Sequence, residues 1–199
     1  LGTESSGGFK NITVTNCIFE HCRGLALETV DGGHLEDIEI SHITMRHIVN
    51  AGIFLRLGAR MRSPEGTPAG SMKRIRISHI NAYDVDSRYS SIISGIPNGI
   101  IEDVTFDHIH LYYKGGYTKE DGKRELPEQE KIYPEPWMFG TIPAKGFYIS
   151  HAKNISFHHI NFYYEKPDGR PLFVTKDVEN IRLTDIRENG ENVSVTINQ

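Results

Sequence analysis

Apolar and polar residues alternate along the chain in a seven-residue pattern that occurs six times. Large apolar side chains, or cysteine in the first copy, hold the second, fourth and seventh positions, and a polar residue holds the sixth. The copies begin at Asn11, Asp37, Arg74, Asp103, Asn154 and Asn180. Because every second side chain of a β-strand points to the same face, the pattern predicts a short strand that ends in a bend at the sixth position.

A second, shorter alternation follows most copies of the first. It covers five residues each time and begins at Gly24, Gly52, Ser91, Gly146 and Pro171. Repeated units of two or three short strands, without an intervening helical pattern, are typical of coils that stack on one another. We therefore predict an all-β fold, a right-handed parallel β-helix of about six coils. A β-sandwich is the alternative, but the turn signals Asn98-Gly99 and Asn189-Gly190 both lie between coils.

The length of the chain indicates one domain over residues 1–199. The repeats place the coils at 9–33, 34–71, 72–99, 100–151, 152–176 and 177–199, with a possible strand at 193–197. Strand-like residues lead from Leu1, so we expect the C-terminal part of a longer β-helix whose first coil end is otherwise unpaired. The fourth coil carries a long insertion at 113–145. Its tyrosines, Trp137 and Phe139 indicate a functional loop rather than disorder.

Charge and composition exclude two classes of partner. The formal net charge is −4 and the isoelectric point is about 6.2, so nucleic-acid binding is not expected. No apolar run approaches the length of a membrane span, so no membrane partner is expected. Cys17 and Cys22 are the two cysteines, and because Cys17 falls on an inward position, a buried thiol is expected rather than a disulfide.

The outward side chains of the second alternation indicate where a site would lie. They are expected to form an apolar column of Ala26, Phe54, Ile93, Tyr148 and Phe173. A more polar column beside it would hold Glu28, Arg56, Gly95, Ser150 and Thr175. An exposed apolar stripe needs a cover, and the segments 58–71 and 113–145 would supply it.

Basic residues concentrate beside this predicted sheet. Between Arg46 and Arg88 there are eight Lys or Arg residues against three acids, although the chain is acidic as a whole. Guanidinium groups bind carboxylates through two parallel hydrogen bonds. We therefore predict an acidic polysaccharide or oligosaccharide as ligand, with a substrate-binding set of Glu28, Arg56, Arg60 and Arg88.

Histidine is frequent, with ten residues in the chain. Four of them take the bend position of the seven-residue pattern, which holds Asn16 and Asp185 in the other two copies: His42, His79, His108 and His159. Asn and Asp satisfy backbone groups at turns, and His has the same donor and acceptor capacity. The sequence thus predicts a column of polar side chains at the bend, without a metal site.

Three segments near the start of the chain carry a family resemblance. They are Gly2-Thr-Glu-Ser-Ser-Gly-Gly8, Asn11-Ile-Thr-Val-Thr-Asn-Cys17, and Arg23-Gly-Leu-Ala-Leu-Glu-Thr29 with Gly32-Gly33. In order and spacing they resemble glycoside hydrolase family 28, the polygalacturonase and rhamnogalacturonan hydrolase family. Residues 1–60 carry this resemblance, and the repeat pattern extends it to about residue 186. It implies a right-handed parallel β-helix, inverting hydrolysis of pectin-type polysaccharide without a cofactor, and a secreted or periplasmic protein.

The resemblance also implies what the chain lacks. The family's catalytic aspartates, in Asn-Thr-Asp and Asp-Asp motifs, and its Gly-His-Gly motif would precede residue 1. No catalytic residue is therefore assigned, and the chain alone is expected to be inactive. The family's Arg-Ile-Lys, which binds the substrate carboxylate, falls on Ala26-Leu27-Glu28. Either Arg56 takes over that carboxylate or the sugar bound there is neutral.

Glu28 itself has two expected roles, accepting hydrogen bonds from sugar hydroxyls or pairing with Arg56. Glu4 with Glu28 is the nearest candidate for a second pair of carboxyl groups.

Two other functions stay open: a non-catalytic glycan-binding or adhesive β-helix, and a polysaccharide lyase. A lyase would need a basic residue and clustered acids for calcium, whereas the acids of Glu36-Asp37-Glu39 alternate between strand faces.

Overall fold

The computed structural model describes residues 1–195 and 197, with 55% of the chain in strands and 4% in helix. Apart from the last short strand, Glu191–Asn192, the strands are parallel and curl into a half-barrel, and the all-β prediction is confirmed. Two short 3₁₀ turns, Asp121–Lys123 and Pro136–Phe139, lie between the strand that ends at Tyr113 and the strand that begins at Phe147. The described strands are β1 (Phe9–Glu20), β2 (Leu25–Thr29), β3 (His34–Ile48), β4 (Ile53–Leu57), β5 (Ser71–Val85), β6 (Ser91–Ser94), β7 (Ile101–Tyr113), β8 (Phe147–Tyr164), β9 (Phe173–Glu188) and β10 (Glu191–Asn192).

The sheet contains two rows of parallel neighbours. The long strands lie in the order β1-β3-β5-β7-β8-β9, and the short strands lie in the order β2-β4-β6 beside the first residues of β8. Strand β8 therefore runs through both rows, and it bends between them at His151, where φ is 48°. Equivalent positions of the seven-residue pattern pair directly: Ile12 with Ile38, Ile38 with Ile75, Ile75 with Val104, Val104 with Ile155, and Ile155 with Ile181. The predicted register of the long row is confirmed.

Each long strand bends at single residues in the left-handed region. At the first and sixth positions of all six copies of the pattern, φ lies between 51° and 58°. Asn, Asp and His adopt this conformation more readily than other non-glycine residues. That preference explains why eleven of the twelve positions hold these types, with Arg74 as the exception. The bend predicted at the sixth position is confirmed, and the bend at the first position is an addition.

A column of alternating charge runs along the long strands just before the first bend. Its most enclosed member is Glu36, which is 7% exposed. The Glu36 carboxylate accepts hydrogen bonds from Ser71 Oγ at 2.5 Å and from Arg74 Nη2 at 2.8 Å. The Nζ atoms of Lys10 and Lys73 lie at 3.4 and 3.5 Å from it. Consecutive pairing partners in this column are Lys10, Glu36, Lys73, Glu102, Lys153 and Glu179.

The apolar side chains of both rows meet in one core. Isoleucine, leucine and valine of the seven-residue pattern fill the first coils, and aromatic rings fill the later ones. Each buried side chain of this size stabilises the fold by roughly 1.5–3 kcal/mol. Five phenylalanine rings stack or meet edge to face: Phe106, Phe147, Phe157, Phe162 and Phe173.

The apolar outward column of the short row differs from the prediction by one residue in two strands. Ile92 pairs with Phe54, and Val174 pairs with Tyr148. Ile93 and Phe173, which were predicted to face outward, belong to the core instead. In both strands two consecutive residues are apolar, so alternation alone does not decide which of them faces inward.

The two ends of the sheet differ. At the C-terminal end β10 pairs antiparallel with β9, and Val193 and Val195 pack against the core. At the other end, in β1, Ile18 is 70% exposed.

The strand predicted at 193–197 is absent from residues 193–195 and 197, and position 196 lies outside the described residues. Cys17 and Cys22 are free thiols; Cys17, which was predicted to be buried, is half-buried because β1 lies at the end of the sheet, and Cys22 is half-buried too.

Candidate functional site

The insertion between β7 and β8 covers the apolar outward column. Phe54 is 2% exposed and Tyr148 is 5% exposed, so the predicted cover is confirmed for this segment. The segment 58–71, which was also predicted to cover the column, contacts the insertion instead: the Ala59 amide donates to the carbonyl oxygen of Glu130 at 2.7 Å. The residues of the insertion that pack on the column are Leu126, Met138, Phe139, Ile142 and Ala144.

A polar column lies next to the apolar one. The prediction was wrong at Gly95 and Thr175, because the same one-residue shift puts Ser94 and Lys176 there. Glu28 and Arg56 are direct pairing partners, as predicted. Within the described residues, however, these two side chains form no ion pair. The column consists of Glu28, Arg56, Ser94, Ser150 and Lys176.

Arg56 is enclosed between the sheet and the insertion. It is 1% exposed, and burial lowers the pKa of its guanidinium to about 10. Nη1 donates to Ser94 Oγ at 2.7 Å and to the Gly95 carbonyl at 3.1 Å. Nη2 donates to the carbonyl oxygens of Glu128 and Gln129 at 2.8 and 2.9 Å. Arg56 therefore fastens the insertion to the sheet, and a ligand carboxylate reaches it only if the insertion moves.

Glu28, unlike the enclosed Arg56, lies at the edge of a cavity. It is 9% exposed, and Thr3 Oγ1 donates to its Oε2 at 2.5 Å. Burial raises the pKa of the Glu28 carboxyl, and the nearby charge of Glu135 adds to that effect. Among the described residues, its other oxygen meets no hydrogen-bond donor. Glu28 is thus a nearly buried carboxyl group with free hydrogen-bonding capacity.

The cavity beside Glu28 has a volume of about 160 Å³. Glu135 reaches it from the insertion and is fixed there by Arg23 Nη1 at 2.5 Å and Asn50 Nδ2 at 3.0 Å. Apolar walls come from Ala26, Phe54 and Pro136. Sequence reasoning missed Arg23, Asn50 and Glu135. Arg23 stands within a segment of family resemblance, but no periodicity signals a loop residue such as Glu135.

Arg60 lies near this cavity but is committed to other acids. Its Nε donates to Asp31 Oδ1 at 3.1 Å, and its Nη2 forms a second bond to the same carboxylate. That bidentate contact lowers the pKa of Asp31. Glu4 lies 3.4 Å from Arg60 and 3.1 Å from Arg62, so Glu4 belongs to this ion cluster rather than to a pair with Glu28.

Arg88 lies away from the other three predicted binding residues. Its guanidinium is 5.9 Å from the ring centroid of Tyr89, and hydrogen bonding with Tyr117 and Tyr89 raises its pKa. It does not line the Glu28 cavity. The structure therefore brings Glu28, Arg56 and Arg60 together and leaves Arg88 apart.

The histidines of the bend position form the predicted column. Their rings are 4.7 Å apart between His42 and His79, 5.1 Å between His79 and His108, and 4.4 Å between His108 and His159. Asp107 Oδ1 lies 2.8 Å from His108 Nδ1 and 3.0 Å from His159 Nδ1. Imidazole N–H groups that donate to this carboxylate account for the geometry.

Two groups in the described part of the chain place three possible metal ligands within 4.8 Å of one another. One comprises Asp107, His108 and His159, and the other comprises Glu20, His21 and His47. Both lie at the surface, on the bends of the long strands. Their hydrogen bonds and ring stacking explain the arrangement, so neither group is taken as the functional site.

Comparison of the chain with protein-family models, with curated proteins and with solved structures found no match. Over the described residues, no helix has the length and apolar character needed to span a membrane. Any assignment of family or function therefore rests on the motifs and the geometry of the chain itself.

Proposed function

We propose that the chain is the C-terminal part of a right-handed parallel β-helix that hydrolyses pectin-type polysaccharide, in a secreted or periplasmic protein of the glycoside hydrolase family 28 type. Support comes from the in-register parallel rows, from the bends that recur at equivalent positions, and from the three motif segments within residues 2–33. No cofactor is part of the proposal.

The observation that carries the proposal is the position of Glu28. It faces outward from the short row, in β2, and it borders a cavity that the insertion helps to form. In the resembled family the equivalent segment contacts substrate. A rigid parallel sheet holds such a group at a fixed distance from its neighbours, which is what a saccharide site requires.

The proposed division of catalytic and substrate-binding roles between the preceding coils and this chain follows from the chemistry of inverting hydrolysis. One carboxylic acid protonates the leaving oxygen while a carboxylate, roughly 6.5–9.5 Å away, activates water on the opposite face of the sugar. Under this proposal the coils that precede Leu1 supply that pair. The described residues supply one wall of the substrate cleft.

The test compares this chain with a longer polypeptide that includes the coding sequence upstream of Leu1. Both are incubated with polygalacturonate and with rhamnogalacturonan, and reducing ends and anomeric configuration are followed by NMR. We expect inverted product from the longer polypeptide and none from the 199-residue chain. Sustained hydrolysis by the chain alone would contradict the proposed division and direct attention to Glu4 and Glu28.

A non-catalytic glycan-binding β-helix is the second candidate. It is favoured by the enclosure of Arg56, because the insertion closes part of the outward face that an extended cleft would use. If the longer polypeptide binds the polysaccharide without cleaving it, this second function replaces the first.

A further inference from the structure

The cavity beside Glu28 has a charge balance that discriminates between sugars. Its lining contains two carboxyl groups, Glu28 and Glu135, and one cation, Arg23. The net charge of these groups is therefore −1 with both carboxyls ionised, and zero with Glu28 protonated. Arg23 is already bound to Glu135 at 2.5 Å. A uronate placed here would meet two carboxyl groups and one arginine whose charge Glu135 already balances.

Other cations also lie near Glu28. Arg60 acts on the Glu28 carboxyl electrostatically, but its Nε and Nη2 donate to Asp31 and its Nη1 lies 3.4 Å from Glu4, so two acids already balance its charge. In this chain the amino group of Leu1 donates to the carbonyl of Ala26 at 2.9 Å. In the longer polypeptide proposed above, the same nitrogen is a peptide amide and carries no charge. Like charges brought together without compensation oppose binding.

The same groups suit a neutral sugar unit. Hydroxyl groups donate to carboxylates in charge-assisted hydrogen bonds, which are stronger than bonds between neutral partners. Glu28 as a residue is nine-tenths buried and borders the cavity, so an unfilled acceptor oxygen of its carboxyl group favours a donor there. Ala26, which is half-buried on the cavity wall, offers apolar surface to the C–H groups of a sugar ring. The cavity, with a volume of about 160 Å³, accommodates one sugar unit.

We propose that this cavity binds a neutral, hydroxyl-bearing sugar unit through the carboxyl groups of Glu28 and Glu135, and that it rejects a uronate. This inference rests on the proposed function and specifies its ligand at one position. It also assigns roles to Asn50 and Arg23, which orient Glu135 and are therefore positioning residues. A raised pKa at Glu28 is compatible with it, because a protonated carboxyl also pairs with hydroxyl groups.

The test uses trigalacturonate and its fully methyl-esterified form, which share one backbone and differ in charge. Trp137, the one tryptophan of the chain, follows Pro136 and is 55% exposed, so its fluorescence reports on the cavity. At neutral pH we expect the ester to bind at least about tenfold more tightly than the free acid. Calorimetry of the same titrations checks the fluorescence result.

Three variants make the test specific. Glu135→Gln removes one carboxylate, so we expect weaker binding of the ester, tighter binding of the free acid and a smaller preference. Glu28→Gln should act in the same direction. Glu39→Gln makes the same chemical change on the outer face of the long row, at a 47% exposed side chain, and should change neither affinity. Circular dichroism of each variant confirms that it is folded.

The outcomes separate this inference from the proposed function. Tighter binding of the free acid, or equal effects of Glu135→Gln on both ligands, overturns the neutral-sugar assignment and leaves the pectin-directed function standing. If neither pectin ligand binds but xylotriose binds in a Glu135-dependent way, the neutral site stands and the pectin assignment fails. If no saccharide binds at millimolar concentration, the inference is wrong.

Discussion

Glu36 offers the sharpest test of how the coils are held together. Its carboxylate accepts from Ser71 and Arg74, and Lys10 and Lys73 lie close to it, so three neighbouring strands meet at one charge. The hydrogen bond from Ser71 and the bond from Arg74 lower the pKa of Glu36 to about 2, from an ordinary value of 4.5. The substitution Glu36→Gln keeps the shape and removes the titration.

The loss of stability expected for Glu36→Gln can be worked out from the pKa of Glu36. A group whose pKa is lower in the folded state contributes stability above its unfolded pKa and loses it as the pH falls through the folded pKa. A lowering from 4.5 to about 2 corresponds to at most ~3 kcal/mol. Lys10 is 58% exposed and Arg74 is 43% exposed, so solvent screens both partners. We therefore expect about 1–2 kcal/mol.

The assay is urea unfolding of both proteins between neutral pH and pH ~2, under reversible two-state conditions. Above pH ~4.5 the variant should be less stable by about 1–2 kcal/mol, and the difference should vanish near pH ~2. Glu179→Gln is the matched control, because Glu179 lies in the same column with its side chain 65% exposed; its effect should stay within about 0.5 kcal/mol. A difference that does not vary with pH would refute the reasoning.

Three further predictions concern the bends and the insertion. His79→Val should destabilise the fold by about 1–2 kcal/mol, because a β-branched residue is strained at φ 54°; His79→Asn, by the same urea assay, should be nearly neutral. Phe54→Ala should lower the unfolding free energy by about 3–5 kcal/mol through loss of packing under the insertion, and a loss below about 1 kcal/mol would contradict the burial described for this ring. Arg56→Met should speed hydrogen exchange at the Ala59 amide, which bonds the insertion, while the exposed control Arg76→Met leaves that rate unchanged.

The long row could be predicted from the sequence because pattern and conformation agree there. Apolar residues at fixed positions set the register, and Asn, Asp and His mark residues that tolerate a left-handed bend. The short row was predicted less well. Ile92-Ile93 and Phe173-Val174 each present two apolar residues in succession, so the inward one is decided by packing with neighbouring strands.

The candidate site was only partly predictable. Glu28 and its neighbour Arg56 follow from alternation, and their adjacency is confirmed. The burial of Arg56 beneath the insertion could not be predicted from the sequence, because its partners in the insertion are backbone carbonyls, which every residue type carries. Glu135 comes from a loop with no periodicity, so its place beside Glu28 depends on how the whole insertion settles on the sheet.

The alternating column of Lys10, Glu36, Lys73, Glu102, Lys153 and Glu179 imposes a parity rule on the stack of coils. Deleting an odd number of consecutive coils from within the stack would set two residues of like charge side by side; loss of the Lys73 coil, for example, would bring Glu36 against Glu102. Deleting an even number would keep opposite charges in contact, because Glu36 would then meet Lys153. Like charges directly opposite one another in a sheet are destabilising. Viable forms of this protein that lose or gain coils within the stack should therefore differ from it by pairs of coils, whereas a coil lost at either end leaves the alternation intact.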